Sequence, residues 1–86
     1  MSASQLTVYS RLGCHLCEDM EKLLPEYLDN SGLSFNVIYI DGDPDLEQQY
    51  GTLVPVLKAG ESEICHYFLD VKALQQYISE QGNPLN

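Results

Sequence analysis

Apolar residues along this chain follow two rhythms, one of strands and one of helices. Leu6-Thr7-Val8-Tyr9-Ser10 is a short strand-like run, and Phe35-Asn36-Val37-Ile38-Tyr39-Ile40 is a second, almost continuously apolar. β-Branched and aromatic residues dominate the second, which fits a strand covered on both faces, as parallel strands usually are. Between the two, Leu16, Met20, Leu23, Leu24, Tyr27 and Leu28 recur at helical spacing. Pro25 interrupts that pattern and should kink or break the helix, because it lacks an N–H and crowds the preceding turn. Asn30-Ser31-Gly32 stops the helix, with Gly32 suited to the left-handed backbone that ends helices. Strand, helix and strand of these lengths make a right-handed βαβ unit.

The second half repeats the alternation in shorter pieces. Asp41-Gly42-Asp43-Pro44 is a turn whose Asp43 caps a helix and whose Pro44 opens it. Leu46 and Tyr50 give that helix its apolar stripe, and Gly51 closes it. Val54-Pro55-Val56-Leu57-Lys58 and Ile64-Cys65-His66-Tyr67-Phe68 flank Ala59-Gly60-Glu61-Ser62, the pattern of a hairpin. Asp70 caps a last helix with Val71, Leu74, Tyr77 and Ile78 on one face, ended by Gly82 and Pro84. The predicted order is β-α-β-α-β-β-α. Pro55 is out of place in it, since proline cannot donate to a sheet ladder. An edge position, a strand's first residue or a cis peptide would each resolve the conflict.

Length and composition narrow the class. Eighty-six residues with 44% hydrophobic content form one domain, 1–86, with a core over about 5–81. No apolar run approaches membrane-spanning length, and Met1-Ser2-Ala3-Ser4-Gln5 has neither the basic nor the apolar part of an export signal. A cytoplasmic location is the expectation. Thirteen acidic residues against four Lys and Arg give a net charge of −9, which is unsuited to nucleic acid or to anionic membrane surfaces. Three cysteines leave one unpaired, which argues against a disulfide scaffold.

Candidate chemistry concentrates at Cys14-His15-Leu16-Cys17, between the first strand and the first helix. A cysteine at a helix N-terminus meets the helix's partial positive charge, which favours the thiolate and places its pKa below the free value of about 8.5. Cys14 is the candidate nucleophile. Cys17, nearly one turn on, is the candidate resolving thiol. His15 and Arg11 are nearby cations that would favour the Cys14 thiolate further, while Glu18 and Asp19 suit the first helical turn.

Tyr9-Ser10-Arg11-x-x-Cys14-x-x-Cys17, Leu53-Val54-Pro55 and Asp70-Val71-x-x-Leu74 together resemble the thioredoxin fold, and within it a small glutaredoxin-like protein. The resemblance runs from Leu6 to about Ile78. It implies an α/β domain with a four-stranded mixed sheet flanked by three helices, and a cis Val54-Pro55 bond beside the cysteines. It also implies reversible dithiol exchange through Cys14 and Cys17 in cell redox homeostasis. Val54 would pair with an extended peptide or with glutathione, and Pro55 would shape the groove. Arg11 matches a basic residue for a glutathione carboxylate, and Asp70 an acidic residue for its γ-glutamyl amine; His15 is grouped with them. Two departures stand out. Glutaredoxins usually carry Gly-Gly where this chain has His66-Tyr67, and Pro-Tyr between the cysteines where it has His15-Leu16.

The expected partners are disulfide-containing proteins or glutathione, the latter as a possible co-substrate, with no required cofactor and a monomeric state. A different class stands beside this reading: a thioredoxin-fold binding or adaptor module whose CxxC is vestigial or holds an iron–sulfur cluster. A mononuclear zinc site lacks ligands, because one CxxC supplies two of the four needed and Cys65 and His66 alternate across a strand. Cys65 reads as a buried core thiol.

Overall fold

The computed structural model describes residues 5–82, with side chains through Glu80. The elements are β1 (Gln5–Ser10), α1 (His15–Leu28), β2 (Ser34–Tyr39), α2 (Pro44–Tyr50), β3 (Val56–Ala59), β4 (Ser62–His66) and α3 (Val71–Gly82). Pro84, assigned a helix-stopping role from the sequence, lies outside the described residues. The sheet order is β2-β1-β3-β4. β1 and β2 are parallel, while β1–β3 and β3–β4 are antiparallel.

Strand alternation sorts the core into two clusters. From β1, Leu6 and Val8 face one side and pack with Leu57, Cys65, Met20, Leu24, Leu28 and Leu74, so that side is covered by α1 and α3. Tyr9 faces the other side, where Val56, Ile40 and Tyr50 close the sheet under α2. Each fully buried Leu or Val in these clusters contributes about 1.5–3 kcal/mol of apolar burial.

Three expectations need correction. Pro25 does not break α1, which runs from His15 to Leu28, and Asp29 N–H still donates to Pro25 O at 3.1 Å. Proline removes one intrahelical bond, but Met20, Leu24 and Leu28 bury on both sides of it and hold the helix to the sheet. β2 is an edge strand of half-buried residues, and its buried isoleucine, Ile40, falls just past its end. Both faces of the apolar run are covered in part, Phe35 and Val37 by the larger cluster and Ile40 by the smaller one. β4 ends at His66, because Tyr67 takes φ +68°, a left-handed conformation that turns the chain out of the sheet. Pro55 precedes β3 and its bond to Val54 is cis, so no ladder position is lost to it.

Candidate functional site

The cysteine motif is positioned by the turn that leaves β1. Cys14 N–H donates to Arg11 O at 3.3 Å, and Gly13 adopts φ +76°, as the third residue of such a turn requires. Leu12 N–H donates to Asp41 Oδ1 at 3.0 Å, tying the turn to the loop after β2. Cys14 thereby becomes the N-cap of α1, its Sγ accepting from Cys17 N–H at 3.1 Å. A sulfur in this position takes the place of the usual capping oxygen and faces the positive end of a 14-residue helix. Cys14 is half-buried and Cys17 is 1% exposed. The two are joined as a disulfide with Cα atoms 5.2 Å apart. One sulfur is reachable and the other is behind it.

The remaining predicted residues surround this pair unequally. His15 points into solvent, 96% exposed, with Nδ1 4.0 Å from Glu18. Arg11 turns toward the C-terminal end of α2, where its guanidinium lies against Gly51. The partial negative charge of a helix C-terminus suits a cation there. Cis-Pro55 is fully buried, and its carbonyl accepts from Tyr67 N–H at 2.9 Å. Val54 N–H is already bonded to Tyr50 O at 3.1 Å, an acceptor it shares with Leu53 N–H. Val54 O takes no hydrogen bond among the described residues, so the carbonyl is its open pairing group. Asp70 is exposed and caps α3, with Oδ1 accepting from Ala73 N–H at 3.0 Å. Arg11 and Asp70 thus sit on separate elements, and among the described residues no ion pair joins them.

Tyr67 and Phe68 belong to the site although the strand pattern places them in β4. The Tyr67 hydroxyl donates to Thr52 O at 2.9 Å, carrying its side chain from the end of β4 to the loop before cis-Pro55. Phe68 is 67% exposed. With Leu16, Met20, Leu23 and Leu69 they line a groove of about 400 Å³ along α1, bordered by Asp19 and Lys22. Leu16 lies inside the CxxC itself, so the groove begins at the cysteines. Leu16 and Leu23, seven residues apart on the exposed flank of α1, were the available signal.

Cys65 occupies a different environment. It is packed in the larger core cluster, and burial pushes its thiol pKa up, opposed by the hydrogen bond from Asp70 N–H at 3.5 Å. Its neighbour His66 faces outward beside Glu63. Among the described residues, no three His, Cys, Asp or Glu side chains converge as metal ligands.

Comparisons with known proteins agree with this geometry. Residues 5–79 match the family model of the glutaredoxin-like domain (DUF836). The solution NMR structure of protein Ne2328 from Nitrosomonas europaea is similar at 44% identity and TM-score 0.76, covering 85% of this chain and 88% of that one. The X-ray structure of protein XcR50 from X. campestris is similar at 32% identity and TM-score 0.69, over 87% of this chain and 96% of that one. Thioredoxin 1 from Thermosipho africanus shares the fold at 16% identity and TM-score 0.58, over 88% and 96% of the two chains. No curated protein matches the chain. A thioredoxin-like sheet, a capping CxxC and a family match over nearly the whole length lead to one assignment: the chain belongs to the glutaredoxin-like domain family.

Proposed function

We propose that this protein is a thiol–disulfide oxidoreductase that works as a monomer in a reducing compartment, the cytoplasm. The observation that carries the reading is the unequal pair: Cys14 half-exposed at the N-cap of α1, and Cys17 buried one turn behind it. In the reductive direction the Cys14 thiolate attacks one sulfur of a substrate disulfide, and the other sulfur leaves as a thiolate. Cys17 then attacks Sγ of Cys14, closing the Cys14–Cys17 disulfide and releasing the first sulfur as a second thiolate. The substrate gains two electrons and the dithiol loses two. A thiol such as glutathione, added in excess, restores the dithiol.

Substrate preference follows from the groove. Tyr67 fills space beside Pro55 with an anchored ring where a glutathione backbone would approach, and the −9 net charge opposes an anionic tripeptide. Half-buried Arg11 and exposed Asp70 supply the two charges that would still hold glutathione, and solvent screening weakens such contacts at the surface. Apolar lining by Leu16, Leu23 and Phe68 instead suits an extended protein segment with a large apolar residue near its cysteine. Protein disulfides are therefore the better substrates and glutathione the weaker one. The test is a trapping experiment. Cys17→Ser should accumulate a stable mixed disulfide with a protein disulfide substrate, and Cys14→Ser should accumulate none. Equal exchange by Cys14→Ser and the unsubstituted protein would sink the proposal.

A further inference from the structure

Ser10 is the one fully buried polar side chain among the described residues, and it has a specific partner. Its hydroxyl donates to Glu21 Oε2 at 2.8 Å. Glu21 is half-buried although it is a carboxylate on a helix with ample exposed surface. It follows Cys17 by four residues, so the two side chains are neighbours on one face of α1. Helical side chains also lean toward the N-terminus and cover the turn before their own Cα. The Glu21 carboxylate is therefore directed at the turn that holds Cys17. Oε2 is anchored by Ser10, and Oε1 accepts no hydrogen bond among the described residues.

Resolution of a mixed disulfide has a chemical requirement that the cysteines alone do not meet. Only a thiolate attacks, and Cys17 is 1% exposed, away from bulk water that would take its proton. Cys14 is spent at that stage, since its sulfur is in the mixed disulfide. From this geometry we infer that Glu21, held by Ser10, is the proton acceptor that activates Cys17 for resolution, directly or through one water. The inference rests on the dithiol-exchange reading above. The Cys17 S–H proton passes to Oε1, and the sulfur's electron pair attacks Sγ of Cys14. The bond from Cys14 to the substrate sulfur breaks, and the departing thiolate recovers a proton from Glu21 or solvent. The other charged groups close by are engaged elsewhere. Glu18 lies beside His15, Asp41 Oδ1 accepts from Leu12 N–H, and β1 presents Ser10 to this face.

Two measurements decide it, both in the Cys65→Ala background so that no thiol outside the motif contributes. Mixing the reduced protein with the chromogenic disulfide 5,5′-dithiobis(2-nitrobenzoate) releases one thiolate as Cys14 attacks and a second as Cys17 resolves. Glu21→Gln keeps an oxygen for the Ser10 hydroxyl. It should leave the first release within about twofold, slow the second by about 100-fold at neutral pH, and move its pH profile to the alkaline side. Glu21→Asp should recover part of the rate. An unchanged second release and pH profile in Glu21→Gln would overturn the inference. The other measurement does not depend on exchange. In Cys14→Ser, thiolate absorbance reports Cys17 alone, and Glu21→Gln should shift its titration to lower pH by removing a neighbouring negative charge. If no first release occurs at all, the exchange reading fails. The Glu21–Cys17 coupling is then judged by that titration, and an unmoved titration would overturn it.

Discussion

Cys17 and Cys65 are both buried, 1% and 8% exposed, yet their surroundings differ in every respect that matters for reactivity. Cys17 lies one turn into α1, bonded to a half-exposed sulfur and followed at helical spacing by a carboxylate. Cys65 lies in β4 among Leu6, Val8 and Leu57, and its sulfur meets one backbone N–H. Burial by itself therefore assigns no chemistry to a thiol. In the proposed exchange, what separates Cys17 from Cys65 is the sulfur of Cys14 beside it and a carboxylate at helical spacing.

The largest expected contrast is in exchange. Cys14→Ser should abolish reduction of a protein disulfide, whereas Cys65→Ala should leave the rate within about twofold, a distinction that an insulin turbidity assay with a thiol reductant reads directly. The comparison breaks if Cys65→Ala loses activity to the same extent. Stability should show the reverse order. Removing the Cys65 sulfur from the core should cost about 1 kcal/mol in urea unfolding of the reduced protein.

A pH series sharpens the contrast. Burial raises the folded-state pKa of Cys65, so the folded chain retains the proton where the unfolded chain has lost it. Its contribution is thus complete below the unfolded value of about 8.5 and declines as pH rises above that. Cys65→Ala should flatten this alkaline decline in urea midpoints, and an unaltered slope would mean the thiol is not desolvated as described.

Tyr67→Gly should have the smallest effect on stability, within about 1 kcal/mol of zero. Relief of a left-handed conformation, about 1–2 kcal/mol, offsets loss of the hydrogen bond to Thr52, about 0.5–1.5 kcal/mol. The same variant should reduce glutathione mixed disulfides faster relative to protein disulfides. An unchanged ratio would show that Tyr67 does not limit access.

Much of this was legible in the sequence because it depends on local pattern. Helical spacing around Met20 and Leu24, the Asp43-Pro44 opening and the CxxC at a strand-to-helix junction each carry their own physical signal. What escaped depends on partners distant in the chain. Pro25 reads as a helix breaker until the packing of Leu24 and Leu28 is known. Phe35 to Ile40 reads as a strand fully covered on both faces, because an apolar run does not say whether a sheet continues beyond it, and β2 is a half-buried edge. Tyr67 and Phe68 read as strand until Tyr67 is seen at φ +68° with its hydroxyl on Thr52, fifteen residues away. Ser10 and Glu21 are unremarkable letters whose pairing spans the β1–α1 junction.

The central claim is that position at the helix N-terminus makes Cys14 the attacking thiol, with Cys17 and Cys65 sheltered from that role. Time-resolved alkylation of the reduced native protein with iodoacetamide at about pH 6, read by peptide mass spectrometry, tests it most directly. Cys14 should be modified first, Cys17 well after it, and Cys65 only on unfolding. Modification of Cys17 or Cys65 ahead of Cys14 would contradict the account.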